Sequence, residues 1–274
     1  MLLSILAAAT LGLAPQAAPD PAFVPLPRAH AHNDYVKSRP LAAALEEGFG
    51  SIEADIFLVD GQLLVGHDRK DLRPNRTLKT MYLEPLAKRV AANKGWVYGP
   101  GTAPLILLID IKEDGEKVYA ALKPLLENYK EIFTYYKEPD GVTTRAVTAI
   151  LSGDRPVATV TKEKERMVFI DGRPEDLEPN ATDAELIPLI STSWADTFKW
   201  RGQGRMPLAE EAKLRLIISR AHAQKQKLRF WASPENPAVW NMLYRTGVDL
   251  IGTDLYPALG KFLRTELAKP KQIL

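Results

Sequence analysis

Residues 104–112 read PLILLIDIK, a run that is apolar on both faces. A strand buried on both sides belongs to a parallel sheet covered by helices, since a sheet with one wet face alternates apolar and polar residues. From Leu26 onward, short apolar runs of this kind alternate with helical patterns. The candidate strands are residues 26–32, 51–57 with an extension at 62–67, 104–112, 145–153, 166–172, 186–194, 227–233 and 249–255. They make eight groups if the extension is counted with the second strand. Helical stretches fall between them. Residues 38–48 have Ser38 as N-cap, Pro40 in the first turn and Gly48 at the end. Others lie around 83–93, at 115–129 with a kink expected at Pro124, at 207–226, at 237–246 before Gly247, and at 257–269. Eight strands interleaved with helices over about 250 residues predict a single-domain TIM (β/α)8 barrel, ahead of an open doubly wound sheet. No Gly-x-Gly-x-x-Gly motif is present, so a dinucleotide fold has no support.

Composition narrows the chemistry. The chain has 36 basic and 34 acidic residues and a net charge of +2, which gives no reason to expect a nucleic-acid partner. It has no cysteine, so a metal must be held by oxygen or imidazole. Residues 2–13 are almost wholly apolar, too few for a typical membrane span but suited to a signal-peptide core. Residues 1–20 are therefore expected to be a signal peptide, residues 21–274 the barrel, and the protein periplasmic or secreted.

The second strand carries the first chemical signal, Ser51-Ile52-Glu53-Ala54-Asp55-Ile56-Phe57. Side chains two apart on a strand share a face, so Glu53 and Asp55 point one way and Ile52, Ala54 and Ile56 the other. The apolar set should meet the helices and the carboxylates the barrel interior. Two carboxylates in a confined site repel one another. A hard divalent cation, Mg²⁺ or Ca²⁺, relieves that, as would arginine or lysine from a neighbouring strand. On the third strand Asp110 shares a face with Ile106 and Leu108, and an isolated carboxylate is costly to bury there. Asp110 is a candidate third ligand, or else a capping or loop contact. Lys112 follows on the same face and suits a phosphate oxygen, or stands as a solvated loop lysine.

Three of the four histidines fall at strand ends near this acidic pair. His30 and His32 share a face of the first strand, and His67 ends the extension of the second. Phosphodiester cleavage needs a base for the nucleophile and an acid for the leaving oxygen, and histidine serves both near neutral pH. His32 and His67 are the candidate pair. His30 lies one layer deeper and reads as a packed or supporting residue. His222, among Lys and Gln on a helix, reads as a surface residue.

The ordered set Ala31-His32, Glu53-x-Asp55 and Gly66-His67-Asp68 resembles the glycerophosphodiester phosphodiesterase family and the wider group of phosphatidylinositol-specific phospholipase C-like barrels. The resemblance spans roughly residues 28–260. It implies acid–base roles for His32 and His67, and metal ligation by Glu53, Asp55 and Asp110. Aspartate at the third-strand position looks more like the sphingomyelinase D-type branch. Phe230-Trp231-Ala232-Ser233 and Gly252-Thr253-Asp254 resemble the last two strands of these barrels, where Trp231 packs over substrate or in the core. The family's usual His-Arg-Gly is here His32-Asn33-Asp34-Tyr35, so Asn33 is the candidate to take part of the missing arginine's contact. The expected activity is metal-dependent cleavage of a glycerophosphodiester or phospholipid-type phosphodiester, by hydrolysis or through a cyclic phosphate. The partners expected are that small-molecule or lipid substrate and, peripherally, a membrane. No protein partner is readable. The loop 194–207, with Lys199, Arg201 and Arg205, reads as an anion or lipid contact or as a solvated basic loop. One alternative is a non-catalytic barrel that binds a phosphorylated ligand or sugar. Another is a glycoside hydrolase using Glu53, which two carboxylates on one strand beside histidines fit poorly.

Overall fold

The computed structural model describes residues 23–178 and 183–269, so the leader expected at 1–20 lies outside the described residues. Eight parallel strands form the barrel: β1 (Leu26–Ala31), β2 (Phe49–Val59), β3 (Leu105–Ile111), β4 (Val147–Gly153), β5 (Val168–Gly172), β6 (Leu189–Ser193), β7 (Lys227–Trp231) and β8 (Leu250–Thr253). Each pairs with the next, and β8 returns to β1 with His30 opposite Gly252. Closure leaves none of these strands with a bare edge. The TIM-barrel expectation is met.

The run on β3 is apolar on both faces because each face meets a core. Leu105, Leu107, Ile109 and Ile111 pack outward in the layer between strands and helices. Ile106 and Leu108 face inward, where they meet Ile150, Phe169, Leu189 and Leu250 in a plug filling the barrel. The outer helices are α1 (Ala42–Glu46), α2 (Glu84–Ala92), α3 (Gly115–Glu127), α4 (Val157–Thr161), α5 (Trp194–Thr197), α6 (Leu208–Ala223), α7 (Pro237–Thr246) and α8 (Tyr256–Leu267). α7 has the full set of signals: Asn236 caps it by accepting from the Val239 N–H at 3.0 Å, Pro237 opens it, and Gly247 ends it at φ 98.

Three details differ from expectation. Ser38 does not cap α1; the helix starts later, after Leu41 at φ 60, whose N–H donates to the buried Asp34 carboxylate. The expected extension of the second strand, Gln62–Val65, is the return arm of an antiparallel hairpin. Asp60 and Gly61, both at positive φ, make its two-residue turn. A small sheet of Tyr135–Lys137, Gly141–Thr143 and Glu165–Arg166 stands outside the barrel. Among the described residues no helix is long and apolar enough to cross a membrane.

Candidate active site

One cavity at the C-terminal ends of the strands is lined by His32, Asn33, Glu53, His67, Asp110, Lys112 and Trp231. Asp55 lies fully buried behind it. The residues singled out from sequence are thus brought to one place. In register, Asp55 is directly opposite Asp110 across the β2–β3 pair, and Glu53 is one inward position below Asp55. Glu53, Asp55 and Asp110 present oxygens that all lie within 4.8 Å of one another.

Each carboxylate has a different environment. Burial opposes charge on Glu53, but Arg229 at 3.0 Å and His30 at 3.1 Å outweigh it, so its pKa stays below the usual carboxylate range. Asp55 is pushed up by burial and by the charge on Glu53, while Lys112 Nζ at 2.6 Å and Tyr35 work against that. Asp110 is raised to about 6, chiefly by burial, with Asp55 and Glu53 adding to the effect. Lys112 is also 3.6 Å from Asp110; burial lowers its proton affinity, yet the two aspartates carry it above the ordinary lysine value.

The set suits a hard divalent cation. Asp55 Oδ1 is buried and has no hydrogen-bond partner among the described residues. A buried oxygen of that kind is expensive unless something electropositive meets it. Three carboxylates with oxygens this close, one of them an orphan, fit an oxygen-preferring divalent ion, while Lys112 and Arg229 already pair with them as the alternative reading expected.

Both candidate histidines are backed by carboxylates. His32 Nδ1 lies 3.2 Å from Asp254 Oδ1, and His67 Nδ1 lies 3.2 Å from Asp55 Oδ2. At His67 the Asp55 carboxylate accepts an Nδ1 proton and leaves Nε2 to take one up, whereas at His32 the Asp254 carboxylate and the Asn33 amide both lie against Nδ1. His30 has the supporting place expected of it. It is fully buried, with Nδ1 2.8 Å from Ser51 Oγ and Nε2 3.1 Å from Glu53 Oε2. Burial first, then Arg229, lowers its pKa to about 4. It is therefore neutral, accepting from Ser51 and donating to Glu53.

The departure at His32-Asn33-Asp34-Tyr35 becomes a local network. Asn33 adopts a left-handed backbone (φ 47) and puts Nδ2 3.1 Å from His32 Nδ1. The Tyr35 hydroxyl is 2.6 Å from both Asn33 Oδ1 and Asp55 Oδ2, and 3.2 Å from His67 Nδ1. Asp34 turns away and accepts from Tyr82 and Tyr256. His222, read as a surface residue, is on the surface and pairs with Asp249 at 2.9 Å. In the 194–207 loop Arg201 donates to the carbonyls of Phe198 and Trp200, and Trp194, Phe198 and Trp200 are buried. The loop is thus held by its own core.

Sequence reading missed Arg229, Tyr35 and Asp254. Arg229 had a signal, being two residues before Trp231 on β7 and so on the same inward face. Asp254 had one in its place at the end of β8, beside β1.

Barrel and mouth together define the class of phosphodiesterase-like TIM-barrel domains. Within it, the model of the AIM6-like phosphodiesterase domain matches residues 22–171, and the chain belongs to that family. The altered inheritance of mitochondria protein 6 homolog of Arthroderma benhamiae is 32% identical, over 85% of this chain and 82% of the relative. The protein of that name from Eremothecium gossypii is 31% identical, over 86% and 69%. That from Saccharomyces cerevisiae strain S288c is 30% identical, over 89% and 71%. Among solved structures, a glycerophosphodiester phosphodiesterase from Parabacteroides distasonis superposes with a TM-score of 0.52 at 15% identity, covering 88% of this chain and 98% of that one. That likeness bears on the fold. Those relatives are named for altered inheritance of mitochondria, and this overturns the expectation of a periplasmic or secreted protein.

Proposed function

We propose that this chain is a metal-dependent phosphodiesterase acting on a glycerophosphodiester or a phospholipid-type phosphodiester. The observation that carries this reading is the meeting of three carboxylates, Glu53 and Asp110 on the cavity and Asp55 behind it, with two histidines, of which His67 is backed by Asp55 itself and His32 by Asp254. Glu53, Asp55 and Asp110 would hold a divalent cation, which supplies charge neutralisation at the phosphoryl oxygens. Lys112 adds a positive charge at the same face. His32 and His67 exchange protons with nucleophile and leaving group through Nε2, His67 kept in its tautomer by the Asp55 carboxylate behind Nδ1. Arg229 and His30 hold Glu53 ionised and fixed. The nucleophile is water or a hydroxyl of the substrate, and the latter gives a cyclic phosphate.

An apolar substrate portion has a place to lie. β7, β8 and β1 are neighbours in the ring, and Trp231, Leu255 and Val36 stand exposed at or just beyond their C-terminal ends. This supports the phospholipid-type half of the proposal and a peripheral membrane contact. The test is turnover of glycerophosphodiesters and lysophospholipids by protein stripped with EDTA, before and after Mg²⁺ or Ca²⁺ is returned. The expected result is loss of turnover and its recovery. Turnover that ignores EDTA contradicts the metal's role. Inactivity on a broad diester panel, with metal bound, favours a non-catalytic binder of phosphorylated ligands.

A further inference from the structure

The inward face of β5 repeats the pattern of β3. One reads Leu108-Ile-Asp110-Ile-Lys112 and the other Phe169-Ile-Asp171-Gly-Arg173. Leu108 and Phe169 both sit in the plug that fills the barrel. Alternation then raises each aspartate one layer and sets each cation at the mouth. Lys112 and Arg173 line the same cavity, with only β4 between their strands.

The two cations are not used alike. Lys112 is engaged with Asp55 and Asp110. Arg173 is held away from those carboxylates by Nη1 alone, which donates to Asp171 Oδ2 at 3.0 Å, the Asp171 carbonyl at 3.1 Å and the Gly172 carbonyl at 2.9 Å. Asp171 is fully buried and also accepts from Ser152 Oγ at 2.7 Å, so the anchor is fixed from below. Among the described residues Nε and Nη2 of Arg173 make no hydrogen bond. A guanidinium pinned at one nitrogen on the wall of a polar cavity presents a planar fork suited to phosphate or carboxylate. Arg155 brings a second guanidinium to the same place, donating to the Asp171 carbonyl, with Glu175 and Asp176 offsetting part of the charge.

β5 is four strands from β1 in a ring of eight, so Arg173 stands across the mouth from His32. We propose that Arg173 forms an anion subsite distinct from the diester centre, selecting phosphodiesters that carry a second oxyanion, a phosphate or a carboxylate, on the portion remote from the scissile bond. This rests on the phosphodiesterase reading of the mouth. It concerns which diesters are preferred.

The test compares kcat/KM on glycerophosphoglycerol, on the same diester with a terminal phosphate, and on glycerophosphoglycerate, for wild type, Arg173→Lys and Arg173→Met. Arg173→Met is expected to lower kcat/KM by about 10- to 100-fold on the phosphate- or the carboxylate-bearing diester, and by less than about threefold on glycerophosphoglycerol, which has no second oxyanion. Whichever anionic diester suffers names the oxyanion. Arg173→Lys, which keeps Asp171 paired, should fall between. Equal losses on all three diesters, or none on any, overturn the proposal. If the wild type cleaves no diester, calorimetric titration with glycerol bisphosphate and glycerol monophosphate separates the two readings. A wild-type preference for the bisphosphate that Arg173→Lys weakens upholds the subsite, and a preference that is absent or unchanged overturns it.

Discussion

Glu53 stays ionised inside the barrel because Arg229 lies 3.0 Å away, with both side chains nearly solvent-free. Removing one partner of such a pair leaves the other charged and unmatched. Arg229→Met is expected to lower stability by about 3–5 kcal/mol in urea unfolding of the metal-free protein. Adding Glu53→Gln should recover much of that loss, and a double variant no better than the single would contradict the pairing. Asp110 gives a pH signature. In the metal-free protein its folded pKa is raised to about 6, whereas an unfolded aspartate titrates near about 4. A group raised in this way contributes stability present below its unfolded pKa and lost as pH rises through about 6. In EDTA, Asp110→Asn should therefore match wild type at about pH 4 and exceed it at about pH 8, by urea midpoints. A difference that does not change with pH would contradict the raised pKa. The carboxylates and histidines were legible because their spacing on single strands fixed their face. Arg229 was not assigned, since its partner is 176 positions away and nothing local marks the pairing. Tyr35 was passed over because its role depends on the left-handed turn at Asn33.

At the level of elements, the hairpin after β2 places one of the two histidines. Asp60-Gly61 turns the chain back, and the Gly66 N–H then bonds the Asp55 carbonyl at 3.2 Å, setting His67 beside the Asp55 carboxylate. Gly153, closing β4 at φ 70, is equally constrained. A Cβ there would overlap the Asp110 carboxylate and the Ile111 carbonyl. Gly153→Ala is expected to weaken divalent-metal binding by more than tenfold, read by titration calorimetry; unchanged affinity would show that Asp110 is no ligand. The long elements were readable from period and caps, as in α7. The strands of two or three residues beside the barrel were not, because so few residues carry no period. Ser38 failed as a cap because the Asp34 carboxylate holds the Leu41 N–H and delays the helix, a tertiary contact that local sequence does not announce.

At the level of the whole molecule, the barrel works only when closed. The family match ends at residue 171, on β5, yet Arg229, Trp231 and Asp254 come from the remaining strands, and β8 pairs with β1. A chain ended after residue 171 would leave β1 and β5 as open edges and Glu53 without its guanidinium. It is expected to aggregate and to show no cooperative unfolding, by size-exclusion chromatography and circular dichroism; a soluble, cooperative fragment would contradict the need for closure. Fold class followed from strand count and from the two-faced β3, which are properties of the whole pattern. Location did not follow from the apolar leader, and the relatives' names corrected it. The proton-transfer roles are tested most directly by kcat for His32→Ala and His67→Ala on a glycerophosphodiester and on bis(p-nitrophenyl) phosphate, whose leaving group needs no acid. Both substitutions should reduce turnover of the alkyl diester by about 10²–10⁴-fold, and one of them, the acid, should largely spare the nitrophenyl diester. Wild-type rates for both variants on the alkyl diester would contradict acid–base catalysis by this pair.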